Sequence, residues 1–503
     1  MDALAQGFAM VFSIETLLII MASSLFGLFV GAVPGLSATM ALALLVPMTF
    51  FMDPIPALAA MVSCSAMAIF AGDIPGCLLR MPGTAASAAY TDEAYAMARK
   101  GQADIALGSG LVFSAIGGLF GTAVLIVAAP LFAEFALNFT SFEFFWLILL
   151  GITCAIVISS TTPLKGAIML ILGFLVASVG MNNPAAFPRF TAGSTDLLGG
   201  IGFLPMLIGM FAVSEVIRSA LDRSPRATII DQPIHNVFKG MWQLTVKYPK
   251  QILRGSVLGT VVGALPGAGS DIASWMSYAL SKKLSKEPEK FGTGHVEGII
   301  ESGAANNSAL AGAWIPALVF GIPGDTLTAI VIGVLYMKNL NPGPSLFTTN
   351  PENMYAIYIL FIFANLIMIP LGWATIKVAK RLLSVRREIL LPLILMACIV
   401  GTFGMNNSPF DVWIMLAAGV TAYILEENGF PVAPAILGVV LGPMLEENFV
   451  KSMIKSDGEV LAFFSRPVAG VLGVLTLVVW LYPLLRHGFR RSPGRATPVG
   501  EAL

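Results

Sequence analysis

Charge is what this sequence has least of. Asp, Glu, Lys and Arg make up 12% of the 503 residues, against roughly 25% in a soluble globular domain. The two signs cancel, 29 against 29, so there is no basic footprint for nucleic acid. Histidine is scarce too, and the three histidines stand too far apart in sequence to suggest a metal cluster. The four cysteines (Cys64, Cys77, Cys154, Cys398) are scattered through apolar segments without a CxxC, and read as small buried hydrophobes. Neither GxSxG nor HExxH occurs, and no nucleophile–base pair stands out, so an enzyme is not expected. A cleavable leader is not expected either. "MDALAQGFAM" lacks a basic n-region and no small-residue cleavage site follows, so residues 8–32 read as the first membrane segment.

What the sequence has is apolar length. Hydrophobic residues reach 56% and the mean hydropathy is +0.83. Runs such as "GGLFGTAVLIVAAPLF" predict an all-α polytopic membrane protein, and exclude an outer-membrane barrel, whose strands are short and alternate. Fifty glycines and thirty-one prolines interrupt these runs. There they shorten, kink or unwind helices, and in lipid a broken backbone survives only when buried in protein or lining a cavity.

The one long polar stretch, 221–253, reads as a cytoplasmic linker with an interfacial amphipathic piece near 234–248. It separates two repeats, 1–220 and 254–450, and residues 451–503 add a C-terminal span and a cytoplasmic basic tail. Gly27-x-x-x-Gly31-Ala32-Val33-Pro34-Gly35 matches Gly259-x-x-x-Gly263-Ala264-Leu265-Pro266-Gly267 at an offset of 232 residues. "LLRMPGTAASAA" (78–89) matches "LVFGIPGDTLTA" (318–329) at an offset of 241. Each repeat is expected to hold a re-entrant hairpin with two short arms (near 17–52 and 252–281) and a broken helix (near 55–97 and 297–340). Further spans are expected near 104–134, 141–160, 163–180 and 202–219, then near 353–379, 388–404, 410–426, 431–447 and 466–486. With the N-terminus periplasmic and the C-terminus cytoplasmic, 24 of the 29 basic residues fall on the cytoplasmic side. The hairpins then open to opposite faces, so the repeats are inverted in topology, as in many secondary transporters.

The breaks carry the chemistry. Half-helix starts present amides and a dipole that favour anions, and unwound carbonyls favour cations. Glycine admits a ligand to the backbone or takes φ > 0, whereas proline stops the helix. Gly27, Gly31, Gly259 and Gly263 fit close helix packing equally well. A glycine within a regular span, such as Gly118, is expected to accept alanine. The densest polar cluster is "EGIIESGAANNSALAGAWIPALVFGIPGD" (297–325), where Asn306 and Asn307 offer a carbonyl to a cation and an NH2 to a carboxylate. Asp271 and Asp325 follow breaks directly; each is either a helix cap or a ligand. Glu297 and Glu301 are placed at the cytoplasmic rim. Arg80 either reads substrate or is an ordinary cytoplasmic charge.

These motifs resemble a known family. "VGALPGAG", "FGTGHVEGI…AANNSA", "FGIPGDT", "GAVPGLSATMALALLVPMTF" and "MPGTAASAA…MARKG" are similar to the large permease subunit of tripartite tricarboxylate transporters, the TctA family, over nearly the whole chain. The resemblance implies a bacterial inner-membrane permease that imports a carboxylate down a cation gradient, with Na+ or H+ as coupling ion and no other cofactor. It also implies a small membrane subunit and a periplasmic solute-binding protein as partners. The expected substrate-binding residues are Gly31, Pro34, Gly35, Ser37, Pro82, Gly83, Thr84, Pro266, Gly267, Ser270, Asn306, Asn307, Pro323, Gly324 and Asp325, with Asn306, Asn307 and Asp271 as cation contacts. An organic-anion channel and a structural membrane subunit are the alternatives.

The charge distribution makes a direct prediction. In a variant stripped of the four native cysteines, Asp53→Cys is labelled from the periplasmic side and Lys286→Cys from the cytoplasmic side by an impermeant thiol reagent. Labelling of both from one side overturns the inverted arrangement.

Overall fold

A computed structural model describes residues 2–159, 163–181, 183–184, 186–222, 229–230, 234–385 and 387–489. Among them the regular elements are helices, with one isolated bridge between Gly180 and Arg189. The first half holds α1 (Asp2–Val11), α2 (Ile14–Ala32), α3 (Ala38–Phe50), α4 (Pro54–Ala71), α5 (Asp73–Leu79), α6 (Thr91–Arg99), α7 (Ala103–Ala136), α8 (Ser141–Ser159), α9 (Pro163–Ala177), α10 (Phe203–Ile208) and α11 (Ser214–Leu221). A π turn at Gly209–Val213 joins the last two. After the linker helix α12 (Met241–Lys247) come α13 (Pro249–Gly263), α14 (Gly269–Leu284), α15 (Val296–Phe320), α16 (Thr326–Met337), α17 (Pro344–Thr349), α18 (Pro351–Leu383), α19 (Arg387–Asn406), α20 (Pro409–Glu427), α21 (Ala433–Lys455) and α22 (Pro467–Phe489). Among the described residues, eight helical stretches are long and apolar enough to cross a membrane. The chain is an all-α, multi-pass membrane protein.

Local chemistry sets the boundaries. Ser13 and Ser37 cap α2 and α3 by accepting from the amides of Thr16 (3.2 Å) and Met40 (3.1 Å). Proline opens α4, α13, α18 and α20, where its missing N–H costs nothing. Because Ser13 starts a new helix, the expected first segment 8–32 divides at Phe12–Ser13. That leaves α2 with 19 residues, about 28 Å at 1.5 Å per residue, long enough to span. Of the first hairpin's two arms only α3, at 13 residues, is short as expected.

The linker differs from the expectation of a free interfacial piece. Gly240 holds φ at 83°, so the helix starts only at Met241 and is 7 residues long. Val237 and Met241 are buried, the first against Gly108 of α7 and the second in a cluster with Phe113, Tyr248, Ile252 and Ile300, while Trp242 and Val246 remain exposed. Linker residues 223–228 and 231–233, and basic-tail residues 490–503, lie outside the described residues.

The two broken helices form the core. Residues 54–79 are buried along the full apolar window, and α15 is buried from Glu297 to Val319. Each supports its hairpin through the same small-residue contacts. A Cβ added at Gly27 would lie 2.5 Å from the Cys64 carbonyl oxygen, and one at Gly31 would overlap the Ala68 carbonyl. At the matching positions, Gly259 meets Ala305 and Gly263 meets Ala309 in the same way. At the breaks, a Cβ added at Gly83 would lie 2.6 Å from the Gly31 carbonyl oxygen and one at Gly324 2.5 Å from that of Gly263. Every pair reproduces the 232- and 241-residue offsets read from the sequence.

The hairpin mouths lie at opposite ends of the bundle. Lys338, at the end of α16, donates to the carbonyls of Phe50 (2.8 Å) and Met52 (2.5 Å) beside the first mouth. At the other end Glu93 of α6, fully buried, accepts from the amides of Gly292, Gly294 and His295 and from the Tyr278 hydroxyl beside the second mouth. Lys100 adds a bond to the Thr293 carbonyl (2.6 Å).

Glycines on α7 correct one expectation. A Cβ on Gly118 would overlap the Asn365 Oδ1, and one on Gly117 the Ala304 carbonyl, so this span is held by backbone contact and Gly118 has no room for alanine. Gly118→Ala and Gly117→Ala are each expected to destabilise the protein by about 1–3 kcal/mol through overpacking. Gly404→Ala, whose Cβ would find its nearest neighbour at 3.8 Å, is expected to be neutral or stabilising by up to about 1 kcal/mol. Thermal unfolding of the three purified variants in detergent checks the order.

Candidate functional site

The two hairpin tips and the two helix breaks converge on one cavity of about 330 Å³. Its wall is made of Ser37–Thr39 from the first tip, Thr84–Ala86 from the first break, Gly267–Ile272 from the second tip and Asp325–Leu327 from the second break, closed by Ile69, Ala329 and by Ala433, Ile436 and Leu437 of α21. Three helix starts, those of α3, α14 and α16, and the lead-in to the short turn Ser87–Ala89 therefore border the same space.

Backbone conformation explains why glycine occupies the tips. Gly35 and Gly267 hold φ at 86° and 79°, a region that a β-branched residue enters only as an outlier. The Gly267 amide donates to the Gly324 carbonyl (2.8 Å), tying tip to break, and the Gly83 amide donates to Gly72 (3.0 Å). The segments after both breaks start with a reciprocal cap. Thr84 and Ser87 exchange amide–hydroxyl bonds of 3.2 and 3.1 Å. The Thr328 amide donates to the Asp325 carboxylate at 2.8 Å and the Asp325 amide to the Thr328 hydroxyl at 2.9 Å. Both partners shift by the 241-residue offset.

Of the expected residues, Ser37, Thr84, Gly267, Ser270, Asp271 and Asp325 line the cavity. Asp325 is also a helix cap, so its two readings coexist. Asp271 lies in the first turn of α14, exposed, with the Ala86 amide facing its carboxylate. Gly31, Gly83 and Gly324 sit behind the wall as packing surfaces, and Pro34, Pro82, Pro266 and Pro323 flank it without lining it. Asn306 and Asn307 are away from the cavity. They are 0% and 2% exposed within α15, with Nδ2 atoms 3.4 Å from the Tyr90 hydroxyl and from the Met368 sulfur. Both Asn Oδ1 atoms lack a hydrogen-bond partner. Arg80 is exposed at φ 59°, paired with Asp92 at 2.9 Å, and does not line the cavity. Glu301, buried, pairs with Arg254, and Glu297 accepts from Gln251 at 2.7 Å.

Sequence reading missed Thr39 and Thr326, whose hydroxyls meet across the wall at 3.1 Å, and the contribution of α21. Thr326 follows the "IPGD" break directly, so it was within reach of the motif. Nothing in the repeats points to Ala433, Ile436 or Leu437.

Among the described residues the lining thus combines five hydroxyls (Ser37, Thr39, Thr84, Ser270, Thr326), two carboxylates and no basic side chain. Converging helix starts favour an anion, and the carboxylates favour a cation. The sequence profile of the Tripartite tricarboxylate transporter TctA family matches residues 17–437. The chain belongs to the TctA family. This is a family of transporter components. A 52.8 kDa Agrobacterium vitis protein, described as uncharacterized and located in the TAR-I ttuC′ 3′ region, is 33% identical over 468 residues, covering 92% of each chain. An uncharacterized protein in the TAR-II ttuC′ 3′ region of the same organism is 35% identical over 231 residues, which is 45% of this TctA-family chain and 96% of that protein. No solved structure matches.

Valine at the second tip tests the geometry. Gly267→Val forces a β-branched residue to φ 79° and sets its Cβ 2.5 Å from Ala155, a strain on the order of 1–3 kcal/mol before repacking. The expected outcome is a protein that inserts but loses transport, and Gly35→Val behaves alike. Near wild-type uptake by both, normalised to monodisperse protein, would show that the tips do not shape the site.

Proposed function

We propose that this TctA-family chain is the permease of a bacterial inner-membrane carboxylate importer. A periplasmic binding protein delivers the solute, a small membrane subunit completes the assembly, and a Na+ or H+ gradient drives uptake. The observation that carries this reading is the meeting of two hairpin tips and two helix breaks on one cavity whose largely apolar wall carries hydroxyls and helix starts. Amides and hydroxyls suit a carboxylate, whose hydrogen bonds to fixed donors replace those to water. Asp271 and Asp325 favour a cation entering with the anion, because two carboxylates in the same wall repel an anion that arrives alone.

The paired contacts at constant sequence offset support treating residues 1–220 and 254–450 as repeats, and the opposite placement of the hairpin mouths supports an inverted arrangement. In this reading the first mouth faces the periplasm and the second the cytoplasm. Alternating access then needs only the two hairpins to exchange which side is sealed. A channel needs no such pair, and a structural subunit has no use for polar breaks over a cavity.

Reconstitution decides between these. In proteoliposomes holding the permease and the small subunit, uptake of a labelled di- or tricarboxylate is expected only with the binding protein outside and an inward cation gradient. It should accumulate the solute above equilibrium. Equal uptake without the binding protein would remove the tripartite mechanism, and equilibration without accumulation would mark a channel.

A further inference from the structure

A second polar cluster lies one layer beneath the cavity. Asp73 opens α5, directly after Gly72, where the first broken helix changes course. It is 5% exposed, inside the most apolar part of the core. Its Oδ1 accepts from the Tyr90 hydroxyl at 2.6 Å, and its Oδ2 has no partner. Asn306, from the second half, reaches the same hydroxyl with its Nδ2 at 3.4 Å, and its Oδ1 has no partner either. Tyr90 is 1% exposed and Asn306 0%. Beside Oδ2 runs α7 at Gly110; a Cβ there would stand 2.7 Å from the oxygen, so the glycine keeps that side open.

We infer that Asp73, Tyr90 and Asn306 form a monovalent-cation site, separate from the substrate cavity, that takes up the coupling ion. The inference rests on the cation-driven reading above. A buried carboxylate with one bare oxygen is costly unless a charge joins it, and among the described residues the Tyr90 hydroxyl and the Asn306 amide leave Oδ2 unmet. The ligand class is therefore a small cation that accepts carboxylate and amide oxygens: Na+, or a proton carried on Oδ2. Hard oxygen donors suit either.

Placement gives the site a reason to couple. Tyr90 ends the loop whose Thr84, Ala85 and Ala86 line the cavity, and Thr84 packs on Gly72, the residue before Asp73. Occupancy at Asp73 thus fixes the loop that forms one wall of the substrate cavity. Because Asn306 belongs to the second half, the same ion ties the two halves together.

The test reads binding without transport. Thermal unfolding of the purified full chain is followed as NaCl replaces choline chloride at constant ionic strength and pH, then across pH at constant Na+, with KCl and LiCl as further arms. Wild type is expected to gain stability with one of these cations. Tyr90→Phe should raise the half-saturating concentration by roughly tenfold, Asp73→Asn should abolish the response while the carboxamide retains the fold, and Asp92→Asn, on the surface, should leave it in place. A saturable Na+ response at fixed pH assigns Na+, and a pH response alone assigns the proton. A folded Asp73→Asn protein with the wild-type midpoint overturns the site, as does a wild type indifferent to all four arms. An Asp73-dependent response in a protein that takes up no carboxylate would leave the site standing and remove the proposed function instead.

Discussion

A helix broken inside hydrocarbon leaves amides and carbonyls that lipid cannot satisfy, and the rest of this structure follows from how they are covered. The cover is backbone brought onto backbone. Gly83 reaches the Gly72 carbonyl and Gly267 the Gly324 carbonyl. Such approaches need side chains out of the way, so glycines at 27, 31, 259 and 263 let each hairpin rest on the carbonyls of α4 or α15. The apolar core is thus assembled around four interruptions rather than in spite of them. Reciprocal caps at Thr84–Ser87 and Asp325–Thr328 satisfy the amides that the contacts leave over.

The cavity is the space those interruptions enclose. Helices starting on it from several directions bring partial positive charge without a single lysine or arginine in the wall. A fixed basic side chain would hold an anion in a deep well; amide ends and hydroxyls hold it more weakly and release it more easily. Two aspartates share the wall, so in the function proposed above the anion enters together with a cation.

Much of this was legible from the residues because the repeats announced it. Two Pro-Gly breaks per half, in the same order, located the tips and breaks that meet at the cavity, and Gly35 and Gly267 have the positive φ that glycine there implied. The spans near 104–134 and 353–379 emerge as α7 and α18 with boundaries a few residues longer. Other features lay beyond a linear reading. Asn306 and Asn307 looked like cavity residues because they stand among small residues before a break, yet α15 is buried on every face there and the cavity takes its residues from beyond the end of that helix, at Asp325–Leu327. Gly118 looked replaceable because nothing in its own span reveals Asn365 across the interface. Asp73 did carry a signal, an acid in an apolar run, but a lone carboxylate does not name its partners.

The hairpins are not tethered alike. Residues 51–53 join α3 to α4, whereas residues 285–295 join α14 to α15. At no more than about 3.6 Å per residue, the first link reaches roughly 11 Å and the second close to 40 Å. The first hairpin is bound to its broken helix by the chain itself. The second has slack, and what gathers that slack is a non-covalent clasp: one carboxylate, Glu93, holding three loop amides, those of Gly292, Gly294 and His295, and a tyrosine. Two halves that pack alike at the centre are therefore mechanically unlike at the rim. One hairpin is held by three residues of chain, the other by hydrogen bonds gathered on a single side chain.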